Sequence, residues 1–172
     1  MSEFKELIIG CGSSRDKRLS ADGSKVFVNP VRLDINPDHK PDVVWDLNQM
    51  PYPFADGEFD EIHAYEVLEH CGTQGDYKFF FAQFTEFWRI LKPGGHLMAT
   101  CPSRNSAWAW GDPSHTRVLQ PEHLVFLSQA EYERQVGVTP MSDFRNIYKA
   151  DFKNCAYGDD NETFWFVLRA VK

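Results

Sequence analysis

Four positions along this 172-residue chain hold residue types that could do chemistry together: Gly10-Cys11-Gly12, Asp34, Asp46 and Glu66. The first is a pair of glycines one residue apart, directly after the short apolar run Glu6-Leu7-Ile8-Ile9. Glycine lets the backbone turn sharply and approach a ligand that any Cβ would hold off. The other three are carboxylates, each placed where a short apolar segment ends. One such carboxylate can take both hydroxyls of a ribose as a charge-assisted acceptor, and another can accept from the exocyclic amine of adenine. The glycine turn leaves space and backbone donors for a carboxylate or phosphate group. Each acid alone reads as a solvated loop residue or a helix cap. In succession they suit a nucleoside bearing a cationic tail.

What must position them is a parallel sheet. A short apolar run that stops at glycine reads as a buried parallel strand, and ligands of open α/β sheets sit beyond the carboxyl ends of the strands. The second strand is expected mainly at Val31 to Ile35, with Pro30 at its entry and Asn36-Pro37 as the turn after Asp34. Asp42 to Trp45 makes a very short third strand ending at Asp46-Leu47, which leaves no room for a full helix between strands two and three. Phe59 to Tyr65 is the fourth strand and runs into Glu66-Val67-Leu68-Glu69-His70. The stretch Ser13 to Arg18 is polar without an apolar stripe, so the helix after the first strand is expected to be short, weak or absent.

Phe80, Phe84, Phe87, Trp88 and Leu91 fall on one wide helical face. Thr73 or Asp76 caps that core helix, and Lys92-Pro93-Gly94-Gly95 stops it. His96 to Cys101 is the fifth strand. Pro102 to Gln120 follows without a period but holds Trp108, Trp110, Asp112, His115 and Arg117; a loop that long is usually functional or disordered, and the tryptophans argue against disorder. Pro121 opens a helix to about Leu127, and the capping box Ser128 to Glu131 opens another to about Val136. Phe144 to Phe152 and Thr163 to Val171 are expected to form a hairpin around the polar turn Gly158 to Asn161.

Composition bounds the function classes. A content of 42% apolar and 15% aromatic residues supports a real core and one domain over 1–172. No long apolar span or charged leader is visible, which disfavours membrane insertion and secretion. Four scattered cysteines without a C-x-x-C pair suggest reduced thiols in a cytoplasmic setting. A net charge of −7 makes nucleic acid an unlikely non-specific partner without excluding a local basic patch.

The segments Leu7 to Gly12, Val31 to Ile35, Asp42 to Leu47, Phe59 to Ile62, Val67 to His70 and Leu91 to Leu97 resemble, in order and spacing, a class I S-adenosylmethionine-dependent methyltransferase of the small single-domain type. The resemblance implies an α/β fold: a Rossmann-like, doubly wound, seven-stranded, mostly parallel sheet whose last strand is antiparallel. This would be a compact variant without a full helix between strands two and three. It implies S-adenosyl-L-methionine as cofactor. Gly10 and Gly12 would border the methionine moiety, Asp34 would bind the ribose, Asp46 and Leu47 would meet the adenine, and Glu66 would lie near methionine and substrate, with Cys11 and Ile35 completing the cofactor-binding set. One position departs from the pattern. Members often carry an acid two residues before the first glycine, where this chain has Ile8, so a carboxylate or water from elsewhere must help hold the cofactor's ammonium group. A nicotinamide enzyme would want G-x-G-x-x-G, and position 15 is Arg15.

Methyl transfer to an acceptor that must lose a proton calls for a general base, and imidazole titrates near neutrality. His70 and His115 are the candidates; either could instead be structural. Trp108, Trp110 and Asp112 are assigned to the substrate side, with the two indoles either stacking on a planar or cationic acceptor or packing as a lid over the core. His63, Glu69, His70 and His115 show no tight ligand spacing, so no metal is expected. The acceptor, a small molecule or a protein, is not identified, and a partner could cover the site. A cofactor-binding module without catalysis and a nucleotide-dependent oxidoreductase are the competing readings.

Overall fold

Short apolar runs separated by polar turns fold here into a single sheet, seen in a computed structural model that describes residues 3–13 and 16–172. The strands are β1 (Glu6–Ile9), β2 (Pro30–Asp34), β3 (Val43–Val44), β4 (Phe59–Tyr65), β5 (Leu91–Pro102), β6 (Phe152–Asp159) and β7 (Thr163–Ala170), and they lie in the order β3-β2-β1-β4-β5-β7-β6. β1 pairs parallel with β2 and β4, β2 with β3, and β4 with β5. β7 runs antiparallel to both β5 and β6. The chain therefore leaves β1 toward β2 and β3, then returns to the other side of β1 for β4. That reversal makes the carboxyl end of β1 a topological switch point, where open α/β sheets bind ligands.

The apolar core lies on one face. Leu7, Ile9, Leu33, Ile62, Ala64, Leu97, Phe164 and Phe166 present it, and the helix α1 (Tyr77–Ile90) covers it with Phe81, Phe84 and Phe87. Asp76 caps α1 by accepting from the Phe79 N–H at 3.0 Å. The helices α3 (Pro121–Val125) and α4 (Gln129–Gln135) add Leu124 and Tyr132 to the same core. Phe84 and Phe87 are fully buried, and a phenylalanine so placed contributes about 3–5 kcal/mol against truncation to alanine.

The opposite face carries charge. Glu6 on β1 and Glu61, His63 and Tyr65 on β4 stand side by side there, covered by residues 16–28, which run across without helical structure. The Lys17 ammonium lies 2.6 Å from Glu6 and 3.0 Å from Glu61, and His63 Nε2 lies 3.1 Å from each carboxylate. Among the described residues no helix links β1 to β2, as the polar composition predicts; Ser14 and Arg15 lie outside the described residues.

Two expectations need correction. Phe144 to Phe152 is not a strand: the N–H groups of Ile147 and Tyr148 both donate to the Phe144 carbonyl, closing a turn. Its aromatic residues pack through their rings, the centroids of Phe144 and Tyr148 lying 5.0 and 4.9 Å from that of Phe81, and need no ladder. The strand is β6, whose side chains are almost all exposed at the sheet edge, so no apolar alternation marks it. Lys92 to Gly95 does not follow the helix as a loop either. α1 ends at Ile90, and these residues already belong to β5, at a register irregularity opposite Phe59 and Glu61.

Candidate active site

The glycine turn and the end of β2 are tied together. Gly10 and Gly12 have φ of 57° and 48°, the left-handed region that costs other residues about 1–2 kcal/mol. Their surroundings differ. A Cβ on Gly10 would lie 2.3 Å from Val67 Cγ2, whereas one on Gly12 would meet nothing within 4 Å. Gly10 is needed for packing; Gly12 borders open space. The Gly12 N–H donates to Asp34 Oδ2 at 2.8 Å, and the Asn36 N–H donates to Oδ1 at 2.8 Å. Burial opposes ionisation of Asp34, but those two donors and the His39 ring, 3.3 Å away, outweigh it and hold the carboxyl below its ordinary range. A carboxylate offers about four lone-pair sites; with the Asn36 N–H and the His39 ring at Oδ1 and the Gly12 N–H at Oδ2, the site left for a ligand is on Oδ2.

Gly10, Gly12, Asp34, Asp46 and Glu66 line one cleft of about 280 Å³, together with Ile35, Leu47 and His70. Ile35 is 64% exposed, an apolar surface beside a carboxylate in a concave site. Asp46 uses Oδ1 to accept from the Asn48 N–H and side-chain amide, both at 2.9 Å. Glu66 has φ 53°, unusual for a side chain of its size, and its carboxylate lies 3.8 Å from Arg18. Cys11 is placed differently. It is buried and lines a separate hollow of about 200 Å³ with Ile8, Asp16 and Phe27, on the far side of the same turn.

The stretch after β5 folds back onto the turn after β4. The Glu69 carbonyl accepts from the N–H groups of Thr116 at 2.9 Å and Arg117 at 3.3 Å, and from Thr116 Oγ1 at 3.2 Å. This places the His115 ring 4.7 Å from the His70 ring, edge to face. His115 Nδ1 lies 2.8 Å from the Trp108 carbonyl; a carbonyl only accepts, so the proton is on Nδ1 and Nε2 keeps its lone pair. His70 Nδ1 faces the Ser114 carbonyl at 3.3 Å and Ser114 Oγ at 3.2 Å. Ser114 gives its hydroxyl proton to Asp112 at 2.5 Å, so both oxygens accept from His70 and its Nε2 is again the lone-pair nitrogen. Those Ser114 bonds, with the His115 imidazole beside them, also hold the Asp112 carboxyl below its ordinary range.

Glu69, next to His70 in the chain, is 2% exposed. Burial pushes its carboxyl up to about 8, with the Glu66 charge adding to the rise.

The two tryptophans do not pack over the core. They sit on α2 (Trp108–Gly111) and are 66% and 60% exposed. α2 is a single turn, too short to bury either ring while its backbone serves His115. Ser114, Asn48, His39 and Thr116 join the site without having been singled out in the sequence. Only the Asn36-Pro37 turn, which brings His39 back to Asp34, left a readable trace. A further cavity of about 200 Å³, lined by Tyr77, Phe80, Arg117, His123 and Phe126 among others, shares no lining residue with the cleft.

With this geometry in hand the chain can be set beside known proteins. The family of methyltransferase domains matches residues 7–99, more than half of the chain. No curated protein matches it. Among solved structures it is similar to an S-adenosylmethionine-dependent methyltransferase from Archaeoglobus fulgidus, at 18% identity over 96% of this chain and 86% of that one, with a TM-score of 0.58. It is also similar to a Haloferax volcanii methyltransferase solved with the Trm112 methyltransferase activator, at 14% identity over 98% and 83% of the two chains, TM-score 0.57. The N-methyltransferase NodS from Bradyrhizobium japonicum, solved with S-adenosyl-L-homocysteine, follows at 16% identity over 98% and 79%, TM-score 0.57. At these identities the structures speak for the fold, and the match over residues 7–99 speaks for the family: the chain belongs to the methyltransferase domain family.

Proposed function

We propose that the protein is an S-adenosyl-L-methionine-dependent methyltransferase whose cofactor lies in the switch-point cleft. The observation that carries this reading is the Gly12 to Asp34 hydrogen bond of 2.8 Å, which joins a glycine turn bordering open space to a carboxylate with acceptor capacity left over. Asp34 takes the ribose hydroxyls, and Asp46, Leu47 and Ile35 enclose the adenine. The glycine turn makes room for the methionine tail. Ile8 offers no carboxylate to the cofactor's ammonium group, and we assign that role to Glu66, which lines the same cleft. When bound, the cofactor supplies an electrophilic methyl group on a good leaving group. The chain's part is then to orient an acceptor, an effect worth up to about 7–11 kcal/mol in favourable cases. His115 or His70 accepts a proton where the nucleophile must lose one, through the Nε2 lone pair, for about 10²–10⁴-fold.

The acceptor is a small molecule or a protein, bound on the side of Trp108, Trp110 and Asp112. The Haloferax volcanii neighbour was solved with an activator protein. A partner covering the cleft of this chain is part of the same reading. Calorimetric titration with S-adenosyl-L-homocysteine, followed by a methyl-release assay over pooled metabolites, protein and nucleic acid, tests it. No binding would refute the cofactor assignment, and binding without release from any pool would favour a binding module that does not catalyse.

A further inference from the structure

Glu69, His70 and His115 each offer one ligating atom, and the three atoms lie within 4.8 Å of one another. Chain order conceals this, because His115 is far from the other two, and on spacing alone a metal was not expected. The three bonds into the Glu69 carbonyl close that distance.

Three observations say what the cluster lacks. Glu69 is 2% exposed and neither of its side-chain oxygens has a hydrogen-bond partner of ordinary geometry; the buried Cys101 thiol, a weak donor, lies beside it. A buried charge is paired or coordinates a metal, or it is not charged at all. Arg117, whose charge reaches Glu69, spends its own donors on the Leu68 carbonyl at 2.8 Å and on Gln83. Next, both imidazoles carry their proton on Nδ1, held by the Trp108 carbonyl in one case and by Ser114 oxygens in the other. Outer-shell acceptors of this kind orient metal-bound histidines and fix their tautomer. Finally, the chain contains a comparison. Glu6, Glu61 and His63 form a second group, two carboxylates and one imidazole, whose ligating atoms also lie within 4.8 Å of one another, but the Lys17 ammonium fills it at 2.6 and 3.0 Å. Among the described residues no lysine forms an ion pair with the Glu69 group.

We propose that Glu69, His70 and His115 bind one divalent transition-metal ion, of the class of Zn²⁺, beside the acceptor side of the cleft. One carboxylate and two imidazoles are the donors of three-ligand sites that keep an open coordination position. Mg²⁺ and Ca²⁺ prefer oxygen donors and fit the set less well. His70 lines the cleft, so the open position would take water or an acceptor oxygen there. This rests on the acceptor half of the function proposed above and changes one role in it: a coordinated Nε2 has no lone pair left for a proton, so the two imidazoles act as ligands in place of general bases, and an oxygen bound to the ion would lose its proton more easily. The metal site itself stands whether or not the cofactor assignment does.

The test uses Zn²⁺ alone, added to the full chain after chelator treatment, in competition with a chromophoric chelator. Cys155, the exposed thiol, is replaced by serine in every variant. One ion per chain is expected. Glu69→Gln and His115→Ala should weaken binding by at least about 10–100-fold, the range already seen for loss of an outer-shell partner, and Ser114→Ala by about 10-fold. S-adenosyl-L-homocysteine affinity, measured in parallel, should be unchanged in Glu69→Gln and His115→Ala. Absent Zn²⁺ binding, or binding equally tight in those two variants, overturns the proposal. If Glu69→Gln does not fold, His70→Ala at a half-buried position decides with the same readout. Zn²⁺ binding without S-adenosyl-L-homocysteine binding would leave the metal site and sink the cofactor reading; the reverse would sink the metal site alone.

Discussion

Asp34 does two jobs with one carboxylate, and they can be separated. It holds the glycine turn through the Gly12 N–H and its own turn through the Asn36 N–H. Its remaining acceptor site is the one assigned to the ribose. Asp34→Ala should cost about 1.5–3 kcal/mol of S-adenosyl-L-homocysteine affinity per charge-assisted bond lost. Calorimetry checks this beside a melting curve, and unchanged affinity in a folded variant would remove Asp34 from the site. The two glycines should part company in the same pair of measurements. Gly10→Ala drives a Cβ into Val67 and should lower the melting temperature, while Gly12→Val should abolish ligand binding with a melting shift no larger than backbone strain of about 1–2 kcal/mol explains. If Gly12→Val binds normally, the turn is structural and the cleft lies elsewhere. At this scale the strand-end acids were legible because a strand end is a position that sequence marks. The Cys11 side chain was not, because which side of a tight turn a side chain takes depends on φ values that glycine leaves open.

Among the elements, β1 and β4 carry a buried charged layer where most parallel strands carry aliphatic side chains. The polar character of Glu6, Glu61 and His63 was visible, but nothing in the spacing tied them to Lys17, which reaches them from an irregular segment. Removing one partner of a buried pair costs about 3–5 kcal/mol. Lys17→Met should therefore destabilise the fold by roughly that much in urea titrations, and a loss below about 1 kcal/mol would mean that water reaches the layer. The layer also sets an acid limit. Burial opposes ionisation of Glu6, yet His63, Lys17 and the Val28 N–H outweigh it and depress the carboxyl well below its ordinary 4.5. A depressed carboxyl contributes stability that is fully present above the ordinary value and is lost as pH falls through the folded one. Stability should thus drop as pH goes below about 4.5, with Glu61 and His63 losing the same partner, and Glu6→Gln should flatten that slope. α1, which sequence placed well, has a strong apolar period. β6 has none because it is an exposed edge.

For the molecule as a whole, the sheet order puts the cleft at the end of β1, and the fold of residues 102–118 brings His115, a residue proposed for the acceptor side, up to His70 on the wall of that cleft. The order itself was reachable only through likeness to a family, since short strands do not state their neighbours. The return of His115 to His70 depends on three bonds to one carbonyl, a long-range event without a local pattern. Selectivity in such folds resides in loops on a common scaffold. Once an acceptor is found, His115→Ala should leave S-adenosyl-L-homocysteine affinity nearly intact while turnover falls by up to about 10²–10⁴-fold. Trp108, 66% exposed, has little packing to lose, so Trp108→Ala should fold normally. If its ring stacks on the acceptor, the apparent KM should rise with kcat little changed, because binding is lost equally from ground and transition states. If α2 instead closes over bound ligands, kcat and KM should change together. Normal kinetics in both variants would move the acceptor away from this loop, toward Glu66 and His70 at the end of β4.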